Sequence, residues 1–266
     1  MALPINLVLV RHGQSEGNIA KRHFEKGDNT LLNALRSRHT ASYRLTKLGR
    51  QQAKMAGVWL SKEFSKGFDR YVTSQYVRAM ETSALLNMAG AKWRCDFNLT
   101  ERDWGDVDSW SDEEREAKFE KEMKRKDAEP FFWRPPNGES FAQLCLRLNR
   151  PIGTLTRECS DQDVCLVCHG EVIRGFQISL ERLLPSQFKK IALSNNPKDR
   201  IHNCQIVHYT RRNPVTNELS DHADWVRMIR PTEEPVWISP WRKVERPHYS
   251  NSQLLKIVSE TPSLIS

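Results

Sequence analysis

The chain has 266 residues, 38% hydrophobic and 28% charged, with a formal charge of +8, a pI of about 9.2 and a mean hydropathy of -0.64. That length can bury one large core with appendages, and no apolar run approaches the roughly 20 residues of a helical membrane span. The basic balance favours anionic ligands without choosing among small phosphorylated molecules, nucleic acid and acidic surfaces. Residues 7–10, L-V-L-V, run straight into Arg11, His12 and Gly13, and read as a buried strand ending in a loop. Open α/β sheets bind ligands at the carboxyl ends of their strands. A histidine there suits an anion, because Arg11 adds a fork of donors, Gly13 lets backbone approach closely, and Ser15 and Asn18 follow with polar groups. No basic stretch precedes the first apolar run, so no signal peptide is expected and the expected location is cytoplasmic.

Residues 19–44 are polar, and the basic group Lys21, Arg22, His23 and Lys26 reads as a loop, either solvated or facing a second anionic group. Residues 45–60 predict an amphipathic helix capped by Thr46, with Leu48, Gln52, Met55 and Trp59 on one face. A short strand follows at 68–73. The helix expected at 77–88 puts Arg78 in its first turn, where free N–H groups already attract phosphate. After an extended segment at 93–99, one loop crowds Glu101, Asp103, Asp106 and Asp108 together with Trp104 and Trp110. A carboxyl near apolar walls has a raised pKa suited to proton donation, and Glu101 is the candidate, the three aspartates reading as solvated.

Residues 112–129 read as an exposed charged helix with acid-to-base spacings of four at Glu114–Lys118 and Glu122–Lys126, and Phe119 and Met123 as its few apolar contacts. Residues 111–137 are expected to form an insertion over the site, with Phe131, Phe132 and Trp133 packed down. A helix from Ser140 buries Phe141, Leu144, Cys145 and Leu148. Residues 164–167, V-C-L-V, then repeat the opening pattern of strand, His169, Gly170 and helix, so the two histidines lie side by side if the strands are neighbours. A last strand is expected within 201–209, with His202 and His208 as structural residues. Of the six cysteines, Cys165 and Cys168 make a C-x-x-C inside a strand, where residues three apart face opposite ways. No second pair completes a zinc site, and reduced buried thiols are the better account. Residues 211–266, with Pro231, Pro235, Pro240 and Pro247, read as a mostly irregular extension packed on the core.

In order, R-H-G-Q-S-E-G-N, L-T-K-L-G-R-Q-Q-A, S-Q-Y-V-R-A-M-E-T, E-R-D-W-G, N-G-E-S and C-H-G-E-V-I-R resemble the histidine phosphatase superfamily, phosphoglycerate-mutase-like branch. The resemblance implies an α/β fold, a mainly parallel sheet flanked by helices on both faces, in a catalytic domain at 1–210. It also implies that His12 is the phosphorylated histidine, that Arg11, Asn18, Arg78 and His169 hold phosphate with His169 protonated, and that Glu101 is the proton donor. Lys21, Arg22 and Arg102 are then candidate substrate contacts at the mouth. Two departures favour a phosphatase over a mutase. The long charged block that mutases carry after the glutamate loop is not matched in its usual form, and Glu171 stands where such mutases carry asparagine. The expected activity is metal-independent phosphomonoester hydrolysis through a phosphohistidine, with no cofactor. The expected partner is a small phosphorylated substrate or a phosphoprotein, not nucleic acid or membrane. Mutase-type phosphoryl transfer and phosphate binding without turnover are the alternatives.

Overall fold

Residues 7–10 and 164–167 are buried completely or nearly so, as expected of strands covered on both sides. They form the centre of the sheet in this computed structural model, which describes every residue except 1, 25, 36, 108–111, 264 and 266, together with all side chains but those of 112, 114–116, 118, 119 and 198. The expectations for Asp108, Trp110, the Glu114–Lys118 pair and Phe119 lie outside the described residues. The strands are β1 (Asn6–Arg11), β2 (Arg70–Ser74), β3 (Trp93–Asp96), β4 (Asp163–Cys168), β5 (Ile206–Thr210), β6 (Trp225–Arg230), β7 (Trp237–Ile238) and β8 (Arg242–Lys243). Their order is β3-β2-β4-β1-β5-β6-β7, with β8 also on β6. The first four in that order are parallel, and β5 joins β1 antiparallel.

The helices are α1 (Glu16–Phe24), α2 (Thr30–Leu35), α3 (Lys47–Glu63), α4 (Val77–Leu85), α5 (Asp112–Ala128), α6 (Phe141–Glu158), α7 (Gly170–Glu181), α8 (Pro185–Ala192) and α9 (Asn251–Ser259). Alternation along the strands divides the core. Leu7, Leu9, Val164 and Leu166 pack with Leu144 and Leu148 of α6 and Ile173 and Phe176 of α7. Val8, Val10, Cys165 and Val167 pack on the opposite face with Ala53, Ala56 and Leu60 of α3 and Ala79 of α4. Cys165 and Cys168 fall in different halves of the core, as the strand period requires. All six cysteines are free, but Cys95 is exposed rather than buried because it sits on the edge strand β3. Among the described residues no helix is long and apolar enough to cross a membrane.

Four expectations are corrected. In α3 the inward face is Gly49, Ala53, Ala56, Gly57 and Leu60, while Leu48 and Met55 are 47% and 43% exposed. Close approach decides it: a Cβ on Gly57 would lie 2.0 Å from the Leu86 carbonyl oxygen, and one on Gly49 2.0 Å from that of Gln14. Large side chains cannot occupy that seam. Of the basic group after Asn18, Lys21, Arg22 and His23 are helical, in the last turn of α1, and only Lys26 lies in the turn that follows. Trp133 is buried, yet Phe132 is 59% exposed, because the turn at 130–132 points successive side chains in different directions. Finally, although most of 211–266 lies outside helix and strand, it supplies β6, which pairs antiparallel with β5 and buries Val226 and Ile229. The sheet therefore runs past residue 210.

Candidate active site

Register brings the two histidines together. β1 and β4 are parallel neighbours with Arg11 opposite Cys168, so the residues that follow emerge side by side. The His12 backbone N–H donates to the Cys168 carbonyl at 3.0 Å. The rings of His12 and His169 meet edge-on, 5.1 Å between centroids.

The His12 ring is oriented from both ends. Its Nδ1 lies 2.7 Å from the Gly13 carbonyl oxygen, which can only accept, so Nδ1 carries the proton and Nε2 the lone pair. Arg78 Nε–H donates to that Nε2 at 3.2 Å. Gly13 is required for a reason other than ligand approach: a Cβ there would sit 2.4 Å from the Gly49 carbonyl oxygen. Its N–H donates to Thr82 Oγ1, which donates to the Arg78 carbonyl. Nucleophile loop and arginine helix are thereby tied together.

Arg78 lies in the first turn of α4, as expected, and is buried. Its Nη1 donates to the Thr40 carbonyl at 2.7 Å, and its guanidinium lies 4.9 Å from the centre of the Tyr76 ring. Arg11 donates from Nη1 to the Ile201 carbonyl, while its buried Nε has no protein partner. His169 Nε2 lies 2.8 Å from Ser74 Oγ, and His169 Nδ1 is likewise buried without one. The unpaired, buried Arg11 Nε–H is a donor that suits an anion. Asn18 accepts at Oδ1 from the Ser15 backbone N–H, Ser15 Oγ and Asn203 Nδ2, so only its amide N–H2 can serve a ligand.

Burial sets the protonation states. It is the largest cause pushing His12 well below the ordinary histidine value, and Arg78 and Arg11 push the same way. His169 is also held well below its usual value, first by burial and then by Arg78, His12 and Arg11. These surroundings disfavour its charged form, and a bound phosphoryl dianion would oppose that shift. Glu101 moves oppositely, to about 7, first through burial and then through Glu171, with Arg78 and Arg11 opposing. A neutral imidazole lone pair among cations, with a protonated carboxyl nearby, can attack an anionic electrophile and protonate what leaves.

Arg11, His12, Asn18, Lys21, Arg78, Glu101 and Arg102 all line one cavity of about 700 Å³. His169 is fully buried and not part of that lining. Arg22 faces elsewhere, into a separate depression with His23 and Lys26. Arg102 is buried rather than an exposed cation at the mouth. It donates to the carbonyls of Glu139 at 2.8 Å and Trp133 at 3.4 Å, reaches Glu171 Oε1 at 3.4 Å, and lies 4.6 Å from the Trp104 ring centre. Trp104 Nε1–H donates to the other Glu171 oxygen at 3.0 Å. Among the described residues no group of three or more His, Cys, Asp or Glu could hold a metal.

Sequence reasoning missed Asn203, whose Nδ2 donates to the His12 carbonyl at 3.2 Å as well as to Asn18. It also missed Ser74 and Tyr76, the latter edge-on to His169 at 5.2 Å. Their place between a strand end and Arg78 was a usable signal. Asn203 had none, since it lies 191 residues from His12.

The sequence model of the histidine phosphatase superfamily (branch 1) matches residues 7–219. The chain is similar to a 2,3-bisphosphoglycerate-dependent phosphoglycerate mutase from Sinorhizobium fredii, 30% identical over 194 residues, which cover 71% of this chain and 85% of that one. Among solved structures it is similar to a mycobacterial glucosyl-3-phosphoglycerate phosphatase, with a TM-score of 0.60 and 24% identity over 78% of this chain and 90% of that one. It is also similar to an α-ribazole phosphatase from Shigella flexneri, with a TM-score of 0.61 and 18% identity over 82% and 96%.

Proposed function

Because the chain belongs to the histidine phosphatase superfamily, we propose that it hydrolyses phosphomonoesters without a metal, through a phosphohistidine on His12. One observation carries the reading: a single cavity holds an unprotonated His12 beside Arg78 and a carboxyl, Glu101, raised to about 7. In the first step His12 Nε2 attacks phosphorus, the phosphorus–oxygen ester bond breaks, and the Glu101 proton passes to the leaving oxygen. In the second, water attacks the phosphohistidine, its proton returns to Glu101, and the nitrogen–phosphorus bond breaks. Arg11 and Arg78 hold the charge that spreads over the phosphoryl oxygens, and the Asn18 amide adds a donor. Splitting one displacement into two lowers each barrier. His169, joined to Ser74 and packed edge-on to His12, orients the nucleophile.

The Glu101 proton must leave with an alcohol, and the partner is a small phosphorylated molecule. A cytoplasmic location accords with the six free thiols. The relatives named as phosphoglycerate mutases support a second reading, in which the phosphoryl group on His12 returns to substrate instead of water. One experiment separates the two. Phosphate release from a panel of phosphomonoesters is followed with EDTA present, alongside interconversion of 2- and 3-phosphoglycerate. Phosphate release is expected to dominate; interconversion without release would replace hydrolysis by transfer.

A further inference from the structure

Beyond the phosphoryl-binding end, the cavity changes character. Phe24 of α1, Leu32 and Leu35 of α2, Tyr43, Trp104 and Met123 of α5 all line it. Leu35 and Tyr43 belong to the small core beneath α1 and α2, but Phe24, Trp104 and Met123 stand outside that core and stay half-buried. Apolar groups from five separate segments thus converge on one space adjoining His12.

Arg102 and Glu171, which line this end, are engaged with each other. Arg102 is buried against two carbonyls and Glu171, and Trp104 closes the other Glu171 oxygen. At the outer edge Lys21 and Lys126 are accompanied by Asp127. A volume of about 700 Å³ is that of a site for a drug-sized ligand, so the cavity leaves room for a body beyond the phosphoryl group.

We propose that the substrate is a phosphomonoester of an extended apolar or aromatic alcohol, whose body lies along Phe24, Leu32, Trp104 and Met123. The proposal rests on the phosphomonoesterase reading for its reaction, and it makes a claim about binding that can be tested without turnover. The protein is titrated calorimetrically with ethylphosphonate, hexylphosphonate and 3-phosphoglycerate. Each methylene that leaves water should tighten binding roughly three- to four-fold, so hexylphosphonate is expected to bind at least ~20-fold more tightly than ethylphosphonate. Phe24→Ala and Met123→Ala should each lower that ratio, Met123→Ala on a helix that is largely exposed. Equal affinity for the two phosphonates would overturn the proposal, as would 3-phosphoglycerate binding more tightly than hexylphosphonate. Phosphate release is measured separately. Its absence from every ester would sink the hydrolytic reading while the phosphonate ratio still decides the shape of the ligand.

Discussion

At the inner end of the cavity His12 is 2% exposed, its ring is bonded at both nitrogens, and each neighbour that touches it is tied to a different element. At the outer end Phe24, Trp104 and Met123 are half-buried, and Lys21 stands in solvent. The inner end rests on the sheet, where parallel register sets the spacing of His12 and His169. The outer wall comes from α1, α2, α5 and the loop that carries Trp104, none of them in the sheet. The contrast assigns the chemistry to the inner end and the choice of alcohol to the outer wall, since binding energy remote from phosphorus is supplied where the rest of the substrate lies.

Breaking the inner end should have the largest effect. His12→Ala is expected to lower turnover roughly 10⁴-fold or more on every substrate. Wild-type protein quenched in alkali should carry acid-labile, alkali-stable phosphate that the variant lacks. Full activity in the variant would remove the covalent step.

Glu101→Gln sharpens the comparison by separating leaving groups. Alkyl phosphates, which need the proton, should slow by about 10²–10⁴-fold, and an activated aryl phosphate far less. Equal losses would make Glu101 a binding residue. The protonated form is the active one in the first step, so turnover of alkyl esters should fall as pH rises through about 7. The same shift bears on stability. A carboxyl whose folded value lies above its unfolded value favours folding fully below the unfolded value, about 4.3, and that contribution is lost as pH rises through about 7. Glutamine does not ionise, so the variant should gain melting temperature relative to wild type between pH 5 and pH 8, by roughly 1–3 kcal/mol of stability. A constant difference across that range would show that Glu101 is not the group responsible.

Asn203→Ala tests whether the inner end depends on its support. Losing two donated bonds should lower kcat about 10-fold, with KM nearly unchanged, because the residue touches His12 and Asn18 through bonds worth about 1 kcal/mol each. A change in KM alone would make it part of the substrate wall.

The smallest effects belong to the outer cations. Lys21→Ala should raise KM several-fold, a loss of under about 1 kcal/mol that shrinks as salt increases. Arg22→Ala should leave KM where it was, because Arg22 faces a different depression. If both variants behaved alike, the separation drawn between the two surfaces would fail.

Much of the inner end was legible in the residues. Two apolar runs, each ending in His-Gly, predicted strands that deliver histidines, and Arg78 in the first turn of a helix behind a strand was read correctly. The packed face of α3 was not, because apolar spacing favoured Leu48 and Met55 whereas backbone approach at Gly49 and Gly57 demanded the small residues. Arg102 was placed at the mouth by the family resemblance. Its burial follows from stacking on Trp104 and from the carbonyls of Trp133 and Glu139, which lie 31 and 37 residues away.

Sequence alone determined which chemistry-bearing residues exist and which local elements carry them, because periodicity, glycine and capping act over a few residues. Tertiary structure alone decided their protonation and their grouping. His169 is held below its usual value and Glu101 raised above its own by burial among charges drawn from different parts of the chain. Lys21 and Arg22, adjacent in sequence, are sent to different surfaces by the 100° step of α1. Desolvation and Coulomb forces depend on distance in space, and that distance is set by the folded sheet.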